Sequence, residues 1–358
     1  RLVVLNAMDA SAHGAEILTR TRLTAAKRGA EGWDATLTDT VTGETRQVRA
    51  RAIVNAAGPW VAELLKDKVH VESRNSVRLV KGSHIVVPRV FDGAQSYIFQ
   101  NPDKRIVFAI PYETDFTLIG TTDVPWEQDS SHVEIAPDEV KYLCESVNRY
   151  FKKTISPDDV VWSYAGVRPL YDDNSGNASA VTRDYVLDVD SSAAPILSVF
   201  GGKITTFRKL AEHAIERLAP FLPVLKGPEW TASRPLPGGD FERSQFRSLV
   251  EKLKVQGPWL DTYTAWRLVR NYGTRAFEIV KADEARMGQR FGETLTQAEV
   301  DYLIDHEWAR SAEDILWRRS KIGLRVGTDV AASLQSYIDQ RKTSAHPAPV
   351  EKERESAS

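Results

Sequence analysis

The apolar and polar positions between residues 34 and 171 predict a region that is mostly β-structure. Two extended segments surround the turn sequence "VTGE" at 41–44, which predicts a β-hairpin. Short apolar runs between 78 and 122 are separated by turn residues and show no helical period, which is typical of an antiparallel sheet. A helical period follows over 136–151, and "VVWSYAGVRPLY" at 160–171 indicates one more strand.

Two segments each combine an apolar strand, a turn of small residues and a helix. They are "AIVNAAGPWVAELLKD" at 52–67 and "SVFGGKITTFRKLAEHAIERL" at 198–218. Because the first N–H groups of a helix have no partner within the helix, such a turn can bind an anion. A short glycine turn with a lysine also occurs where no ligand binds, so this pattern alone leaves both interpretations open.

The pattern changes after Pro223. The segment "LPGGDFE" at 236–242 predicts a linker, and helical periods dominate from Phe241 to Gln340 with no convincing strand. These features predict a separate helical domain. The last residues, "TSAHPAPVEKERESAS", are polar and are predicted to be disordered. The polar, glycine-containing segment at 172–180 is predicted to be an irregular loop.

Composition narrows the class of protein. The 358 residues are 42% hydrophobic and 27% charged with a formal net charge of −2, which is typical of a globular protein of two or three domains and gives no overall electrostatic attraction to nucleic acid. The one cysteine, Cys144, excludes an internal disulfide, indicates a reducing compartment and is predicted to pack within a helix. No histidine pair has metal-ligand spacing, so no metal site is predicted.

The ends and the apolar runs of the chain carry further expectations. No apolar run approaches the roughly 18 residues of a membrane span, and the N-terminus has no signal-peptide pattern. The sequence begins without methionine inside an apparent helix or strand, so we expect a fragment whose upstream part is absent.

Eight motifs occur in the order found in FAD-dependent glycerol-3-phosphate dehydrogenases, which the sequence closely resembles. They are "RAIVNAAGPWV", "RLVKGSHIVVPR", "DKRIVFAIPY", "LIGTTDV", "YAGVRPL", "VTRDYVLD", "SVFGGKITTFRKLAEHA" and "HEWARSAEDILWRR". That family belongs to the glycine or D-amino-acid oxidase superfamily and opens with a βαβ unit carrying G-x-G-x-x-G, a motif this sequence lacks.

The resemblance implies an α/β plus α architecture. It comprises an incomplete FAD-binding domain of the glutathione-reductase type, a substrate domain built on an antiparallel sheet, and a C-terminal helical domain. The expected boundaries are 1–72 and 177–225 for the FAD domain, 73–176 for the substrate domain, 233–342 for the helical domain and 343–358 for the tail.

The resemblance also implies the activity. The family oxidises sn-glycerol 3-phosphate to dihydroxyacetone phosphate by hydride transfer from C2 to N5 of FAD and passes the electrons to membrane quinone. The expected location is cytoplasmic, peripheral on the inner face of the cytoplasmic membrane, and a homodimer is compatible with the sequence. Two alternatives stay open: an oxidase that uses oxygen, and a non-catalytic module that binds a phosphate ligand.

Three residues are candidates for catalysis. His84 could take the hydroxyl proton, since the ordinary histidine pKa is about 6.5, although a lone histidine is more often structural. Arg168 could hold phosphate or a ketone oxygen with its fork, or form a structural ion pair with Asp123 or Asp172. Lys203 lies near the flavin and the phosphate by resemblance, or is a solvated loop lysine.

The remaining candidates bind substrate or cofactor. The substrate-binding set is Arg168, Arg183, Lys203 and Thr206, and Arg183 has a possible local partner in Asp184. Amides of Thr205 and Thr206 could stabilise the reduced flavin. The cofactor-binding set comprises Asn55, Ala56, Ala57, Gly58, Pro59, Trp60, Gly201, Gly202, Lys203, Ile204 and Thr205.

The C-terminal helices carry tryptophans and basic residues that have two interpretations. Trp308, Trp317, Arg318 and Arg319 are predicted to form an aromatic core with a solvated basic face. The basic stretches "RYFKK" and "WRRSKIGLR" are alternatively candidates for contact with anionic lipid, which would give access to quinone.

Overall fold

A computed structural model describes residues 1–172, 184–222 and 227–345. The chain forms two compact units. One unit is Arg20–Ala232, and the other joins Arg1–Thr19 with the chain from Ser233 onward. The second unit therefore begins near the predicted start of the helical domain, but it also includes an N-terminal segment that the sequence analysis assigned to the FAD domain.

The strands, in chain order, are β1 (Thr21–Arg28), β2 (Trp33–Asp39), β3 (Thr45–Ala50), β4 (Ile53–Asn55), β5 (Val77–Pro88), β6 (Tyr97–Gln100), β7 (Ile106–Tyr112), β8 (Phe116–Gly120), β9 (Val124–Pro125), β10 (Trp162–Tyr171), β11 (Tyr185–Asp190), β12 (Ile196–Gly201), β13 (Arg290–Phe291) and β14 (Leu295–Thr296). The helices are α1 (Leu2–Ala12), α2 (Val61–Glu63), α3 (Pro137–Asn148), α4 (Phe207–Leu218), α5 (Phe246–Gln256), α6 (Thr262–Tyr272), α7 (Ala276–Ile279), α8 (Gln297–Glu307) and α9 (Thr328–Ala345). A π-helical segment, Leu64–Val69, continues α2.

A small antiparallel sheet with the order β1-β2-β3 begins the larger unit. The hairpin predicted around "VTGE" is confirmed, since Thr38 pairs with Thr45 across the turn. Gly43 has a φ of +77°, a left-handed conformation that glycine adopts without a steric penalty. Trp33 is fully buried and its indole nitrogen donates to the carbonyl of Pro195 at 3.1 Å. This contact ties the small sheet to the segment that precedes β12.

The predicted antiparallel sheet is confirmed, with the strand order β10-β5-β8-β7-β6 and β9 paired with β5. Helix α3 packs against one face, where Ile85 and Val87 share a core with Leu143 and Val147. Full burial of each such side chain contributes about 1.5–3 kcal/mol to stability. Because side chains alternate along a strand, the even-numbered residues of β5 lie on the opposite face, which carries no helix of this core.

Cys144 lies in the core between α3 and the sheet, as predicted. Burial raises the pKa of its thiol to about 11, so the side chain stays protonated and behaves as a small apolar group.

A third sheet has the order β11-β12-β4 and supplies the two strand–turn–helix segments expected from the sequence. Strands β12 and β4 are parallel, with Ser198 paired to Asn55, whereas β11 and β12 are antiparallel. The carboxyl ends of β4 and β12 therefore lie at the same edge of this sheet. Leu197 and Val199 of β12 pack on Ala214 and Leu218 of α4.

The smaller unit is helical, with a core built from α5 to α9. The prediction of no strands is wrong in detail, because β13 and β14 form a short antiparallel hairpin. The N-terminal residues join this unit because the Arg1 guanidinium pairs with Glu307, whose side chain is fully buried. Helix α9 ends at Ala345, inside the segment predicted to be disordered, and the later residues lie outside the described part of the chain.

The aromatic and basic residues of the C-terminal helices match the first interpretation given above only in part, because Arg318 is exposed whereas the Arg319 side chain is largely buried. Trp317 packs against the helical core. The guanidinium of Arg318 lies 2.7 Å from Glu313 and 3.2 Å from Asp314, and Arg319 donates to the carbonyl of Glu307 at 2.6 Å. These arginines are thus engaged with nearby carboxylates and carbonyls.

Candidate functional site

His84 and Arg168 lie on the same face of the large sheet. In the antiparallel pair of β5 and β10, His84 is opposite Tyr164, and Val80 is opposite Arg168. Directly opposed residues of neighbouring strands point to the same side, and residues two apart on one strand do so as well. The fold therefore brings together two predicted catalytic residues that are distant in sequence, on the face opposite helix α3.

The imidazole of His84 is half-buried between two neighbours. It stacks on the ring of Tyr164 with centroids 4.8 Å apart and planes inclined by 7°. On the neighbouring strand, a Cβ atom added to Gly120 would overlap the His84 ring, so the absence of a side chain there makes room for the imidazole. Its Nδ1 atom is buried and has no hydrogen-bond partner among the described residues.

Burial, together with the positive charge of Arg168 as the smaller cause, lowers the pKa of His84 to about 4. At neutral pH the ring is therefore uncharged. An uncharged imidazole can accept a proton, but a pKa near 4 makes this ring a weaker base than an ordinary histidine.

Arg168 forms the ion pair with Asp123 that the sequence analysis left open as an alternative. Its Nη2 donates to Thr121 Oγ1 at 2.8 Å and to the carbonyl of Thr122 at 3.3 Å. Asp172, the other partner considered, instead accepts from Arg78 at 3.3 Å. Since a guanidinium has further N–H donors, these contacts leave Arg168 able to bind a second anion.

Two glycines separate the His84–Tyr164 pair from Arg168. Gly82 and Gly166 are opposite each other in the register, and the guanidinium of Arg168 lies across Gly82. A Cβ atom on Gly166 would meet nothing within 4 Å. The sheet face above Gly166 is therefore bare, with the imidazole on one side and the guanidinium on the other.

The sequence analysis did not select Tyr164, Gly82 or Gly166. A signal for the glycines was present, because glycine inside a strand often marks a close approach of another group. No such signal marks Tyr164, whose relation to His84 depends on the register between two strands.

The turn after β4 carries six of the predicted cofactor-binding residues. Gly58 has a φ of +57°, and the turn continues into a short 3-10 helix, Gly58–Trp60. Asn55 is buried, and its side chain donates to the carbonyl of Val61 at 3.0 Å and accepts from the amide of Ala57 at 3.3 Å. The Asn55 side chain thus holds the turn, and the prediction that this turn binds cofactor stays a prediction.

The turn after β12 begins with two glycines in left-handed conformations, Gly201 at φ +75° and Gly202 at +99°. A Cβ atom on Gly201 would lie 2.9 Å from the carbonyl oxygen of Asp184 and 3.1 Å from the amide nitrogen of Tyr171. Lys203 is exposed, and its ammonium makes no hydrogen bond or ion pair within the described part of the chain.

Thr206 differs from expectation. Its amide donates to the carbonyl of Lys203 at 3.1 Å, and its hydroxyl donates to the same oxygen at 3.0 Å. Both donors are therefore used within the turn, which corrects the expectation that the Thr206 amide faces a ligand. Ile204 and Thr205 are exposed on the same 3-10 turn, Ile204–Thr206.

The carboxyl end of β10 contacts both turns. Pro169, next to Arg168, has its Cγ atom 3.9 Å from the position of a Cβ on Gly58, and Tyr171 lies against Gly201. The strand that carries Arg168 therefore ends where the two predicted cofactor turns begin. Arg183, the remaining predicted substrate ligand, lies outside the described residues.

Comparison with known proteins gives two family matches. Residues 1–208 match the family described as FAD dependent oxidoreductase. Residues 230–343 match the C-terminal domain of alpha-glycerophosphate oxidase. Together they match most of both compact units, leaving out residues 209–229 and 344–358.

Several curated proteins are similar to this chain along most of its length. Glycerol-3-phosphate dehydrogenase of Pseudomonas aeruginosa is 47% identical over 351 residues, which are 97% of this chain and 67% of that protein. Aerobic glycerol-3-phosphate dehydrogenase of Escherichia coli is 45% identical, covering 95% of this chain and 69% of that protein. D-erythritol 1-phosphate dehydrogenase of Brucella abortus is also 45% identical, and the match covers 95% of this chain and 68% of that protein.

A solved structure shares the fold. Glycerol-3-phosphate dehydrogenase from Bacillus halodurans, complexed with FAD, superposes with a TM-score of 0.78 at 24% identity, covering 96% of this chain and 72% of that one. The predicted fold class is confirmed by this similarity. None of the helices in the described ranges is both long enough and apolar enough to cross a bilayer.

Proposed function

Because the chain belongs to the FAD dependent oxidoreductase family, we propose that it oxidises sn-glycerol 3-phosphate to dihydroxyacetone phosphate with FAD as cofactor. The observation that carries the proposal is the bare sheet face between His84 and Arg168. It offers a neutral base and a cation on either side of a space with no side chain, on a strand that ends at two glycine turns.

The two turns fit a large ligand with an apolar surface. The carboxyl ends of β4 and β12 lie side by side, which is where ligands of open parallel sheets bind. Three apolar side chains near these turns are exposed: Val54 by 50%, Trp60 by 39% and Ile204 by 64%. The turns Asn55–Trp60 and Gly201–Thr205 would hold FAD through their backbone, with Gly58, Gly201 and Gly202 allowing close approach.

Oxidation of the secondary alcohol removes a hydride from C2 and a proton from its hydroxyl. Bound FAD supplies the acceptor for the hydride. His84 takes the proton at Nε2, since Nδ1 is the buried nitrogen of the ring. Stacking on Tyr164 and contact with Gly120 hold the ring in one orientation, so the accepting nitrogen is positioned before substrate binds.

Arg168 and Lys203 supply the positive charge that an organic phosphate requires. The Arg168 fork suits two phosphate oxygens or the developing ketone oxygen, whereas the Lys203 ammonium acts as a mobile point charge. Because both donors of Thr206 are used within its own turn, that residue contributes only by shaping the turn.

A second polyol phosphate is a natural comparison substrate, since one relative is a D-erythritol 1-phosphate dehydrogenase. The experiment measures loss of oxidised-flavin absorbance in the FAD-loaded protein under anaerobic conditions with each phosphate in turn. We expect rapid bleaching with sn-glycerol 3-phosphate and slower bleaching at the same concentration of D-erythritol 1-phosphate. Bound flavin that neither phosphate reduces would contradict an enzymatic role and favour the phosphate-binding module.

The electron acceptor we propose is membrane quinone. Reoxidation of the reduced protein by a soluble quinone analogue should outpace reoxidation by oxygen, with little peroxide formed. A stoichiometric yield of peroxide in air, with no acceleration by quinone, would identify an oxidase instead.

Access to quinone would require contact with a membrane surface. At the end of α3 the basic residues Arg149, Lys152 and Lys153 are exposed beside Tyr150, which is 48% exposed, whereas Arg318 is paired with acids. A basic patch with an aromatic side chain suits anionic lipid. Charge reversal as Arg149→Glu/Lys152→Glu should abolish cosedimentation with anionic vesicles. Arg318→Glu should have little effect, and unchanged binding of the double variant would refute this surface.

A further inference from the structure

We propose that Asp123 is a positioning residue, which holds the Arg168 guanidinium across Gly82, and that Glu139 anchors the Asp123 segment from the opposite face of the sheet by accepting a hydrogen bond from Thr122. The inference rests on the proposed function, because it concerns how Arg168 is presented to an anionic substrate. Asp123 belongs to none of the predicted sets of site residues.

On the face of the sheet that carries His84, Asp123 and Thr121 both contact the Arg168 guanidinium. Nη1 pairs with the Asp123 carboxylate while Nη2 donates to Thr121 Oγ1 at 2.8 Å. Two partners on one short segment fix both the position and the plane of a guanidinium, since its donors form a rigid fork. These contacts hold the guanidinium across Gly82, beside the bare region above Gly166, rather than leaving it to turn freely in solvent.

The Thr121–Asp123 segment is anchored from behind. Thr122 is 1% exposed, accepts from the Ser83 amide at 3.0 Å, and donates from Oγ1 to a Glu139 carboxylate oxygen at 2.6 Å. Thr121 contacts Arg168 on one face of the sheet and Thr122 contacts Glu139 on the other. The segment that carries Asp123 therefore cannot shift without breaking buried hydrogen bonds.

Glu139 is fixed in turn by three further groups. Its carboxylate lies 2.7 Å from the Lys81 ammonium, and it accepts from the Ser83 hydroxyl at 2.9 Å and the Ala136 amide at 2.8 Å. Lys81 and Glu139 are each 5% exposed. A buried carboxylate with this number of donors has one stable position, so it is a firm support for Thr122.

The opposite role for Asp123 makes the opposite kinetic prediction. If its carboxylate merely competed with the substrate for Arg168, removing it would free the cation and lower the KM. If Asp123 positions Arg168, removal of the Asp123 carboxylate lets the guanidinium move away from its position across Gly82. The KM for an anionic substrate then rises.

The test is steady-state kinetics of the FAD-loaded protein with sn-glycerol 3-phosphate. We expect Asp123→Ala to raise the KM about 10-fold or more with a smaller change in kcat, since an oriented charge-assisted contact is lost. Asp123→Asn, which keeps an acceptor for Nη1, should recover part of that loss. A KM that is unchanged or lowered in Asp123→Ala would overturn the proposal.

A double-mutant cycle separates positioning from a general structural role. If Asp123 acts through Arg168, the variant Arg168→Ala/Asp123→Ala should have the same KM as Arg168→Ala alone. Additive effects would mean that Asp123 acts elsewhere. Asp103→Ala is the matched control, because it removes an exposed acid in the turn between β6 and β7, 3.6 Å from Arg105, and should leave kinetics unchanged.

A second measurement does not depend on turnover. The Arg168 charge is one cause of the lowered pKa of His84, so Asp123→Ala should raise the midpoint of the His84 titration followed by NMR. If the unaltered protein fails to oxidise the substrate, the proposed function fails, but this titration still tests the position of Arg168. An unchanged midpoint in a folded variant would contradict the inference by itself.

Discussion

The guanidinium of Arg168 occupies space that a side chain on Gly82 would need. A Cβ atom at residue 82 would lie 2.7 Å from Cζ of Arg168 and 2.6 Å from Thr121 Oγ1. The two residues are on neighbouring strands, and Gly82 is two positions before His84 on the same face. A missing side chain thus lets a cation lie close to the strand that carries the proposed base.

The two opposed glycines give a matched pair of substitutions. Gly82→Ala should displace Arg168 and raise the KM for sn-glycerol 3-phosphate about 10-fold or more, because the new methyl group overlaps the guanidinium. Gly166→Ala places its methyl group in open space, so the unfolding temperature should not fall. Its KM should still rise, since the methyl group narrows the proposed substrate space. Equal kinetics for Gly166→Ala and the unaltered protein would argue against substrate binding above this residue.

The pH behaviour of His84 follows from its lowered pKa. In the folded protein the ring should titrate near pH 4 rather than near 6.5. The unfolded chain binds the extra proton between these values, so this residue makes stability fall as pH drops from about 6.5 to 4. NMR of the ring measures the midpoint directly. A phosphate bound at Arg168 should raise it, because the anion offsets the guanidinium charge; a midpoint near 6.5 without ligand would contradict the described environment.

Glu139 should matter for stability as well as for position. Burial by itself would raise the pKa of this carboxyl, but donation from Lys81, Thr122, the Ala136 amide and Ser83 outweighs burial and lowers it. Its contribution is therefore present above the ordinary carboxyl pKa and is lost as pH falls through the lowered value.

Replacing Glu139 tests this contribution. Glu139→Gln leaves the Lys81 charge buried without its partner, which should cost about 3–5 kcal/mol in urea unfolding at pH 7. The difference from the unaltered protein should shrink at acid pH. Glu145→Gln is the control on the same helix, since its exposed pair with Lys141 at 3.8 Å contributes at most about 1 kcal/mol. An equal decrease in the free energy of unfolding for the two variants would show that the buried Lys81–Glu139 pair contributes no more than the exposed pair.

Lys203 tests the part of the site that the described contacts leave open. Lys203→Ala should raise the KM for sn-glycerol 3-phosphate, and should lower kcat as well if the ammonium acts in the transition state. Lys209→Ala is the matched control, because that exposed lysine is paired with Glu212 and Glu229, each at 2.8 Å. Unchanged kinetics in Lys203→Ala would leave Lys203 as a solvated loop residue.

Local patterns predicted much of the secondary structure. Short apolar runs separated by turn residues predicted β5 to β8, and the helical period over 136–151 predicted α3, which spans Pro137–Asn148. The short hairpin of β13 and β14 was missed because two-residue strands are too brief to show a period. The grouping of α1 with the C-terminal helices was missed as well, since it depends on the pairing of Arg1 with a residue far along the chain.

The candidate site was predicted in part. Sequence motifs selected His84, Arg168 and the two glycine turns, but not Tyr164, Gly82 or Gly166, which complete the arrangement on the sheet face. The sequence could not decide whether Arg168 pairs with Asp123 or with Asp172. Asp172 is four residues along the chain, whereas Asp123 comes close only through the pairing of strands. Nothing in the sequence pattern indicated that the Thr206 amide and hydroxyl both donate to the Lys203 carbonyl.

By itself, the sequence determined which segments are strands and helices, which residue types could take a proton or hold a phosphate, and where glycine turns follow strands. These properties depend on neighbours a few residues apart. Tertiary structure alone decided that His84 stacks on Tyr164, that Arg168 lies over Gly82, and that Glu139 supports Thr122 from behind. Those relations depend on strand register and on which face of the sheet a helix covers, and both are set by packing between segments remote in sequence.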